Sequence, residues 1–209
     1  MPERPAFATE GDLGLADSSF LNMTGPATQV NRSAIKYDRA EMFCRVFWMV
    51  GIWVFRLSPR PCFGFRRWWL RLFGAKVGRQ VNVYPSSHIY YPWNLEIGDW
   101  SSIGEWALIY NLGKVTIGKQ VTISQRVHLC AGTHDYEDLS MPLQKLPINI
   151  GSTSWVCADV FIGPGVTVSE GAVVGARSVV VKDVPAWMVI AGNPAKAIKS
   201  RVIRGRINL

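Results

Sequence analysis

The chain of 209 residues contains few of the residues that build disulfide frameworks or metal centres, with four cysteines and three histidines. The cysteines are scattered and make no CxxC pair: they are Cys44, Cys62, Cys130 and Cys157. This spacing argues against a disulfide scaffold or a zinc ribbon and favours a reducing compartment. The first 20 residues also lack the charged-then-apolar order of a secretory signal, so we expect a cytoplasmic protein.

Long apolar runs are absent as well. The longest run, VFWMVGIWVF at residues 46–55, is bounded by Arg45 and Arg56. As a helix it would extend about 15 Å, half of the ~30 Å hydrocarbon core of a bilayer. We therefore do not expect this segment to cross a membrane alone.

A six-residue repeat is the strongest pattern in the chain. Aliphatic residues recur at every sixth position at Ile150, Val156, Ile162, Val168, Val174 and Val180, and in the upstream sets Val77, Val83, Ile89; Ile97, Ile103, Ile109; and Ile117, Ile123, Leu129. Four positions after most of these aliphatic residues comes a small or β-branched residue, which suits a tight corner. A period of six belongs neither to a helix nor to a hairpin. Three hexads make a triangular coil, so the repeat predicts an all-β solenoid of about five coils.

One insertion interrupts the repeat. The segment GTHDYEDLSMPLQKLPINIG, residues 132–151, lengthens one junction between coils and carries His134 near its start. A solenoid tolerates such insertions because each coil contacts only its neighbours. We therefore expect a loop that leaves the solenoid at a corner. Taken alone, a loop histidine is more often an ordinary surface residue than a catalytic one.

The formal net charge of +8 is concentrated before the solenoid. Residues 31–80 contain eleven Lys and Arg residues, two acidic residues, and the tryptophans Trp48, Trp53, Trp68 and Trp69. This combination is typical of contact with an anionic membrane, where Arg60, Arg66, Arg67 and Arg71 would meet lipid. It is equally typical of helices that pack on the first coil, and the two roles are compatible. No recognition helix, zinc finger or RNA motif is present, so we predict no nucleic-acid partner.

The repeat [LIV]-x-x-x-[STAV]-x, with glycine after many aliphatic positions, resembles that of the hexapeptide-repeat acyltransferases. Residues 148–201 are most similar to the terminal coils and tail of the sugar O-acetyltransferases. The segments LRLFGAKVG, YNLGKVTIG and AGTHDYEDLSMPL are most similar to the colanic-acid branch. The resemblance covers about residues 77–201. It implies a left-handed parallel β-helix with an extruded loop, an N-terminal helical segment and a short C-terminal helix, assembled as a homotrimer.

From this resemblance we divide the chain into four parts. Residues 1–40 are expected to form an extended or partly disordered arm, and residues 41–76 a basic, Trp-rich helical segment. Residues 77–184 would form the β-helix acyltransferase domain, with its loop at 130–149. Residues 185–209 would form a C-terminal tail and helix.

The resemblance also implies a reaction, the transfer of acetyl from acetyl-CoA to a saccharide hydroxyl in a precursor of exopolysaccharide or another surface glycan. His134 matches the general base of the family, which takes the proton of the attacking hydroxyl. The backbone N–H of Ala158 matches the donor that stabilises the oxyanion. Trp155 and Asn111 match acceptor-side residues, although either could be structural. Asp135 could orient the base or bind the acceptor.

The same resemblance assigns the cofactor site and one departure from the pattern. Ala176, Lys182, Lys196 and Lys199 match residues that contact the pantetheine arm and the phosphates of acetyl-CoA, and ammonium groups suit phosphate. The usual Gly-Ala-Gly-Ser reads Gly-Ala-Arg-Ser here, which places Arg177 against the expected channel. We expect no metal.

Two other functions fit parts of the sequence. A γ-type carbonic anhydrase has the same fold and binds metal through three histidines, and this chain has His88, His128 and His134. His88 and His128 precede equivalent positions two coils apart, about 9.6 Å at ~4.8 Å per coil, so they cannot share an ion within one subunit. A non-catalytic binding or scaffolding solenoid is the second alternative.

Overall fold

A parallel β-helix of five complete turns and part of a sixth forms the body of the protein. The computed structural model describes residues 38–204, so residues 1–37 and 205–209, which include most of the predicted arm, lie outside the described residues. Three sheets form the sides of the prism. Face 1 consists of β1 (Lys76–Val77), β4 (Leu95–Ile97), β7 (Val115–Ile117), β12 (Ile148–Ile150) and β15 (Thr167–Val168).

The other two faces repeat the same arrangement. Face 2 consists of β2 (Asn82–Val83), β5 (Ser102–Ile103), β8 (Thr122–Ile123), β13 (Trp155–Val156), β16 (Val173–Val174), β18 (Met188–Gly192) and β19 (Ala195–Ser200). Face 3 consists of β3 (His88–Ile89), β6 (Leu108–Tyr110), β9 (His128–Cys130), β14 (Phe161–Ile162) and β17 (Val179–Val180). The loop between face 3 and face 1 contains β10 (Thr133–His134) and β11 (Leu143–Gln144).

The hexad residues form the interior, as the period predicts. Ile97 pairs in register with Ile117, and Ile150 pairs with both Ile117 and Val168. Equivalent residues on the other faces are almost entirely buried, so each coil adds a layer of aliphatic side chains to a continuous core. The predicted β-solenoid is confirmed.

Close approach between coils explains the glycines that follow the aliphatic positions. A Cβ atom on Gly118 would lie 2.6 Å from the backbone nitrogen of Ser152 in the next coil. The left-handed conformations at the corners are instead taken mainly by other residues, such as Trp106 with φ 60° and Arg126 with φ 55°. These glycines therefore allow neighbouring backbones to approach closely.

Two helices cover the start of the β-helix. α1 (Arg39–Leu57) begins after the N-cap Asp38, and α2 (Phe63–Leu72) follows a short turn. Within residues 38–204, neither these nor any other helix is long and apolar enough to cross a bilayer. Trp48, Phe55 and Leu70 are buried against the first coil, so the helices extend the hydrophobic core by one layer.

The helices also bind the exposed backbone edge of the first coil. Some carbonyls of each inner coil accept from the preceding coil, as Ile97 does from the N–H of Gly78, and the equivalent carbonyls of the first coil have no preceding coil. Four side-chain donors fill these places: Arg71 on Val77 at 2.7 and 2.9 Å, Arg67 on Val81 at 2.9 Å, Arg66 on Val83 at 2.6 Å and Trp48 on Ile89 at 2.8 Å.

These contacts correct one prediction. Arg66 is completely buried and bound to the protein's own backbone, so its expected lipid contact is wrong. Arg67 and Arg71 also donate to backbone carbonyls, and contact of their remaining exposed surface with lipid stays a prediction. Arg60 is exposed and forms an ion pair with Glu105 at 3.1 Å. A buried carbonyl without a donor lowers the stability of the folded protein more than a solvent-screened surface ion pair raises it. This difference explains why the guanidinium groups lie against the first coil.

The C-terminal segment forms a hairpin, and the predicted short C-terminal helix is wrong for residues 185–204. β18 continues face 2 in parallel with β16, with Ile190 opposite Val174, and β19 folds back against it. The N–H of Gly175 donates to the Ile190 carbonyl at 2.8 Å. The last complete coil needs acceptors for its N–H groups, and an added strand supplies them where a helix would not.

The hydrogen bonds from the helices to the first coil predict that two arginine substitutions differ in their effect on stability. Arg66→Met removes donors from three carbonyls, those of Val83, Pro59 and Arg60. Only the Val83 carbonyl is buried, and at roughly 1–3 kcal/mol for an unsatisfied buried group, with smaller losses at the two exposed carbonyls, the free energy of unfolding should fall by about 2 kcal/mol or more. The matched change Arg60→Met removes a surface ion pair and should cost less than about 1 kcal/mol. Urea titration measures both, and similar losses would contradict the capping role.

Candidate active site

The loop after β9 has a defined base and tip. β10 and β11 pair antiparallel at its base. Beyond the pair, the carboxylates of Asp135 and Asp138 each accept a backbone N–H two residues further along the chain, at 3.1 and 2.7 Å. Such turns fix the local backbone. The hydrogen bond from the Ser140 N–H is also the main reason that the pKa of Asp138 is lowered.

His134 lies at the end of β10 with its ring oriented by the opposite side of the loop. Its Nδ1 lies 2.6 Å from the carbonyl oxygen of Met141. A carbonyl can only accept, so Nδ1 carries the proton and the neutral ring keeps its lone pair on Nε2. Met141 has a φ of 47°, a left-handed conformation within the turn. The loop therefore holds a half-buried imidazole in the tautomer that a general base requires.

Asp135 does not orient the histidine. That position is occupied by the Met141 carbonyl, while the Asp135 carboxylate accepts from the N–H of Glu137. Of the two roles predicted for Asp135, orientation of the base is therefore wrong. Contact with the acceptor stays a prediction. Glu137 and Asp138 are exposed on the loop.

Asn111 is a structural residue, so its predicted contact with the acceptor is wrong. Its side chain is 0% exposed. Oδ1 accepts from the N–H of Tyr91 at 3.0 Å, and Nδ2 donates to the Tyr91 carbonyl at 2.6 Å. Both polar functions are thus used to join two coils at the corner between faces 3 and 1. A side chain with no accessible surface cannot contact a sugar.

Trp155 lies on face 2, and Ala158 follows it at the corner between faces 2 and 3. Trp155 is half exposed, and its Nε1 donates to Ser124 Oγ at 2.9 Å. The Ala158 N–H makes no hydrogen bond within residues 38–204, whereas its carbonyl accepts from Arg177 N at 2.9 Å. Ala176, one coil further on, also has an N–H without a partner in the described chain. The corner therefore offers outward N–H donors, but their availability alone does not single out Ala158.

Arg177 departs from the family pattern in residue type and not in backbone shape. Its φ of 59° matches Asp159 at 60° and Arg126 at 55°, which lie at the same corner of neighbouring coils. Glycine would adopt this conformation without strain. Asp159 accepts two hydrogen bonds from Arg126, at 2.5 and 2.8 Å, and these with the nearby charge of Arg177 lower the pKa of Asp159. Arg177 is thus part of a row of charges along the corner.

The predicted phosphate-binding lysines are gathered at the C-terminal end. Lys182 and Lys196 line one cavity of about 380 Å³. In the hairpin, Lys196 pairs with Ala191 and Lys199 pairs with Val189 across a register shift. Ala191 and Val189 lie on the same side of β18, because alternate residues of a strand share a face. The shift therefore brings Lys196 and Lys199 to the same side, although they are three residues apart.

The histidines are not arranged to bind a metal. His88 and His128 both align with Leu108, one from each side, so they lie two coils apart on face 3. Among residues 38–204, no group of three His, Cys, Asp or Glu side chains is placed to hold an ion. Nε2 of His128 is buried without a partner in the described chain, and burial lowers the pKa of this histidine.

Comparison with solved structures supports the fold. A hexapeptide-repeat-containing acetyltransferase from Vibrio cholerae superimposes with a TM-score of 0.71 at 26% identity, covering 76% of this chain and 91% of that one. A galactoside acetyltransferase, solved in complex with coenzyme A, gives a TM-score of 0.69 at 26% identity over 84% of this chain and 91% of that one.

Sequence comparison decides the family. No family model matches the chain. Over 158 residues the chain is 44% identical to WcaF of Escherichia coli (strain K12), which is named as a colanic acid biosynthesis acetyltransferase, and the match covers 76% of this chain and 87% of WcaF. The chain belongs to the hexapeptide-repeat acetyltransferases. The resemblance noted from the repeat is thereby confirmed.

For this hexapeptide-repeat acetyltransferase, sequence reasoning missed the groups that support the predicted site residues. The Met141 carbonyl and the Ser124 hydroxyl are the main examples. A backbone carbonyl leaves no signal in a sequence. Ser124 lies one coil before Trp155 and two positions further along its own coil, so alignment of the hexads could have brought the two together.

Asn111 provides a test that separates structure from acceptor binding. Asn111→Ala should lower the free energy of unfolding by about 1–3 kcal/mol, because both polar groups of the Tyr91 peptide lose their partner. The KM for a sugar acceptor should stay unchanged at a temperature where the variant is folded. A raised KM with wild-type stability would restore the acceptor role.

Proposed function

We propose that this protein is an acetyl-CoA-dependent O-acetyltransferase that acetylates a saccharide hydroxyl in a precursor of exopolysaccharide or another surface glycan. The observation that carries the proposal is the oriented His134 in a chain that is 44% identical to WcaF, a protein named for colanic acid biosynthesis. The galactoside acetyltransferase that shares the fold was solved with coenzyme A, which supports acetyl-CoA as the donor.

The reaction begins at Nε2 of His134. The sugar hydroxyl gives its proton to Nε2 as its oxygen attacks the thioester carbonyl carbon, since an unassisted hydroxyl is a poor nucleophile at neutral pH. The ring then carries a positive charge, and the hydrogen bond from Nδ1 to the Met141 carbonyl strengthens. When the C–S bond breaks, Nε2 returns the proton to the leaving sulfur, and the histidine is neutral again.

The tetrahedral intermediate needs a donor for its negative oxygen. We assign this role to the N–H of Ala158, which has no acceptor within the described chain and lies at a corner where the Ala158 carbonyl accepts from Arg177 N. A backbone donor that is already oriented stabilises the oxyanion without reorganisation. Trp155 on the adjacent face would form a wall of the same site, with its ring held by Ser124.

The topology supports an assembly in which subunits share their sites. The His134 loop leaves the prism between faces 3 and 1, whereas Ala158 lies between faces 2 and 3. These corners are separated by a full side of about six residues, or roughly 20 Å of extended chain. We infer a homotrimer in which the loop of one subunit faces the Ala158 corner of its neighbour, as the family resemblance implies.

The C-terminal lysines supply the cofactor site in this scheme. Lys196 and Lys199 share one side of the hairpin, and Lys182 lines the adjoining cavity. All three side chains are exposed, so they can meet the phosphates of acetyl-CoA without a desolvation cost like that of a buried charge. Ala176 at the neighbouring corner would lie along the pantetheine arm.

We also propose peripheral contact with a membrane, through the outward face of α1 and not through the arginines of α2. This outward face is apolar along the length of the helix and each of its side chains is at least 40% exposed: it comprises Met42, Phe43, Val46, Phe47, Met49, Val50, Trp53, Val54 and Leu57. An amphipathic helix of this kind lies flat at the boundary between headgroups and acyl chains.

His134→Ala tests the catalytic proposal. Removal of a general base should reduce acetyl transfer by about 10²- to 10⁴-fold, while the variant keeps wild-type stability and acetyl-CoA binding. Release of the CoA thiol with a sugar acceptor measures the transfer. Glu137→Gln, a change at an exposed residue of the same loop, should retain activity. Near wild-type turnover by His134→Ala would rule out this mechanism and favour a scaffold role.

Mixed subunits test the shared site. A variant with Lys182, Lys196 and Lys199 changed to Gln should raise the KM for acetyl-CoA without changing affinity for the sugar. If the loop of one subunit serves the cofactor edge of the next, an equal mixture of this variant with His134→Ala, refolded together, should recover roughly a quarter of wild-type activity. No recovery in verified mixed trimers would place both sets of residues in one subunit's site.

A further inference from the structure

A groove runs between α1 and the first coil, away from the proposed catalytic residues. It has a volume of about 390 Å³ and is lined by Arg45, Trp48, Met49, Ile52, Trp53, Arg56 and residues 88–91. Its floor is formed by β3 and the two tyrosines that follow it. The residues that line it include two arginines and a histidine but no Asp or Glu, so the groove is electropositive.

The two arginines mark the ends of the groove. They are eleven residues apart on α1, which corresponds to about 16 Å along the helix axis. Arg45 lies over the ring of Tyr91 at 4.8 Å and donates to the Tyr91 hydroxyl at 2.5 Å, so its guanidinium group is held in place. Arg56 is half-buried and forms no ion pair with a carboxylate within residues 38–204.

His88 lines the groove and is affected by the positive charge of Arg56. Its pKa is lowered by burial and, to a lesser degree, by the charge of Arg56, so the ring is neutral near pH 7. The ring also packs at 4.5 Å from that of Tyr90. A neutral imidazole can donate one hydrogen bond to an anion and adds no charge that would need a counter-ion.

The groove opens onto the outward face of α1. Met49 and Trp53 line the groove, yet their side chains are 68% and 63% exposed and also belong to that apolar face. A molecule whose polar end lies at Arg56 would thus meet a cation there and would leave along an apolar helix surface. This combination fits an amphipathic anion with a hydrocarbon chain and does not fit an acidic peptide or a free nucleotide.

We propose that the groove binds the phosphate of an anionic phospholipid at Arg56, with the acyl chain along Met49, Ile52 and Trp53, and that Arg45 adds attraction to the anionic surface around it. The proposal rests on the membrane contact of α1 proposed above and names the lipid chemistry that this contact selects. Charge complementarity supports it, because the lining carries two guanidinium groups and no carboxylate.

The same helix is tied to the catalytic loop. Glu41, in the first turn of α1, pairs with Lys145 at 3.6 Å, and Lys145 directly follows β11 at the base of the His134 loop. Glu41 lies one helical turn before Arg45, about 6 Å along the axis. A phospholipid in the groove would therefore fix α1 on the bilayer with the base of the catalytic loop close to the membrane surface.

Vesicle co-sedimentation of the full chain, without acetyl-CoA, tests the proposal independently of acetyl transfer. Wild-type protein should bind vesicles of phosphatidylcholine mixed with phosphatidylglycerol more tightly than phosphatidylcholine alone. Arg45→Gln with Arg56→Gln should weaken binding to the mixed vesicles by about 30-fold, at roughly fivefold per arginine, and leave binding to phosphatidylcholine unchanged. Arg56→Lys, which keeps the charge, should retain most of the preference.

A matched control removes the same charge elsewhere. Lys119→Gln with Arg204→Gln, both at exposed positions outside the groove, should change binding by less than about threefold. Equal loss in the two double variants would mean that net charge alone governs binding and would overturn the site. Displacement by inorganic phosphate at constant ionic strength would show an anion site that needs no lipid, which also overturns it.

Two further outcomes are decisive. If wild-type protein binds neither kind of vesicle, both the membrane contact and the lipid site are wrong, whatever the result of the acetyl-transfer assay. If the double arginine variant melts at a lower temperature than wild type, Arg56→Gln alone replaces it and should lose about fivefold, because Arg56 makes no ion pair in the described chain. Wild-type binding by a folded Arg56→Gln would then overturn the proposal.

Discussion

The interaction on which the structure depends is the ladder of backbone hydrogen bonds between coils. Its bonds run in both directions, as from Gly78 N to the Ile97 carbonyl and from Trp100 N to the Arg79 carbonyl, so the first and last coils each keep backbone groups that have no neighbouring coil to bond. Arg66, Arg67, Arg71 and Trp48 donate to such carbonyls of the first coil, and β18 together with Val184 accepts from N–H groups of the fifth. Buried backbone groups must find partners, so the basic composition of the helical segment follows from the topology it covers.

The six-residue repeat predicted most of the fold, because the packing of the core imposes this period on the sequence. Each inward residue must be aliphatic to fill a narrow prism, so Ile97, Ile117 and Ile150 could be aligned from the sequence before their pairing was seen. The C-terminal hairpin could not be predicted in this way. Its strands form because N–H groups of the fifth coil need hydrogen-bond acceptors. The cause therefore lies in a neighbouring segment and not in the sequence of the hairpin itself.

The candidate site was predictable in part, for a similar reason. His134 could be singled out because an insertion in a regular repeat is conspicuous, but its catalytic role was predicted only from the family resemblance. The Met141 carbonyl that orients it depends on a turn with left-handed backbone at a methionine, which residue type does not reveal. Asn111 shows the opposite error: an amide in a corner was compatible with both binding and structure, and only burial separates the two.

The open ends of the ladder also have a consequence for how these molecules can meet one another. The edges of the first and last coils are complementary in the same way as two neighbouring coils, so two bare β-helices would dock head to tail and extend into a fibre, which is a heterologous contact that never closes. The arginine side chains occupy acceptors of the first coil and the hairpin covers the last coil. Growth along the axis is thereby blocked at both ends, and association is confined to the sides of the prism, where rotation can close a ring.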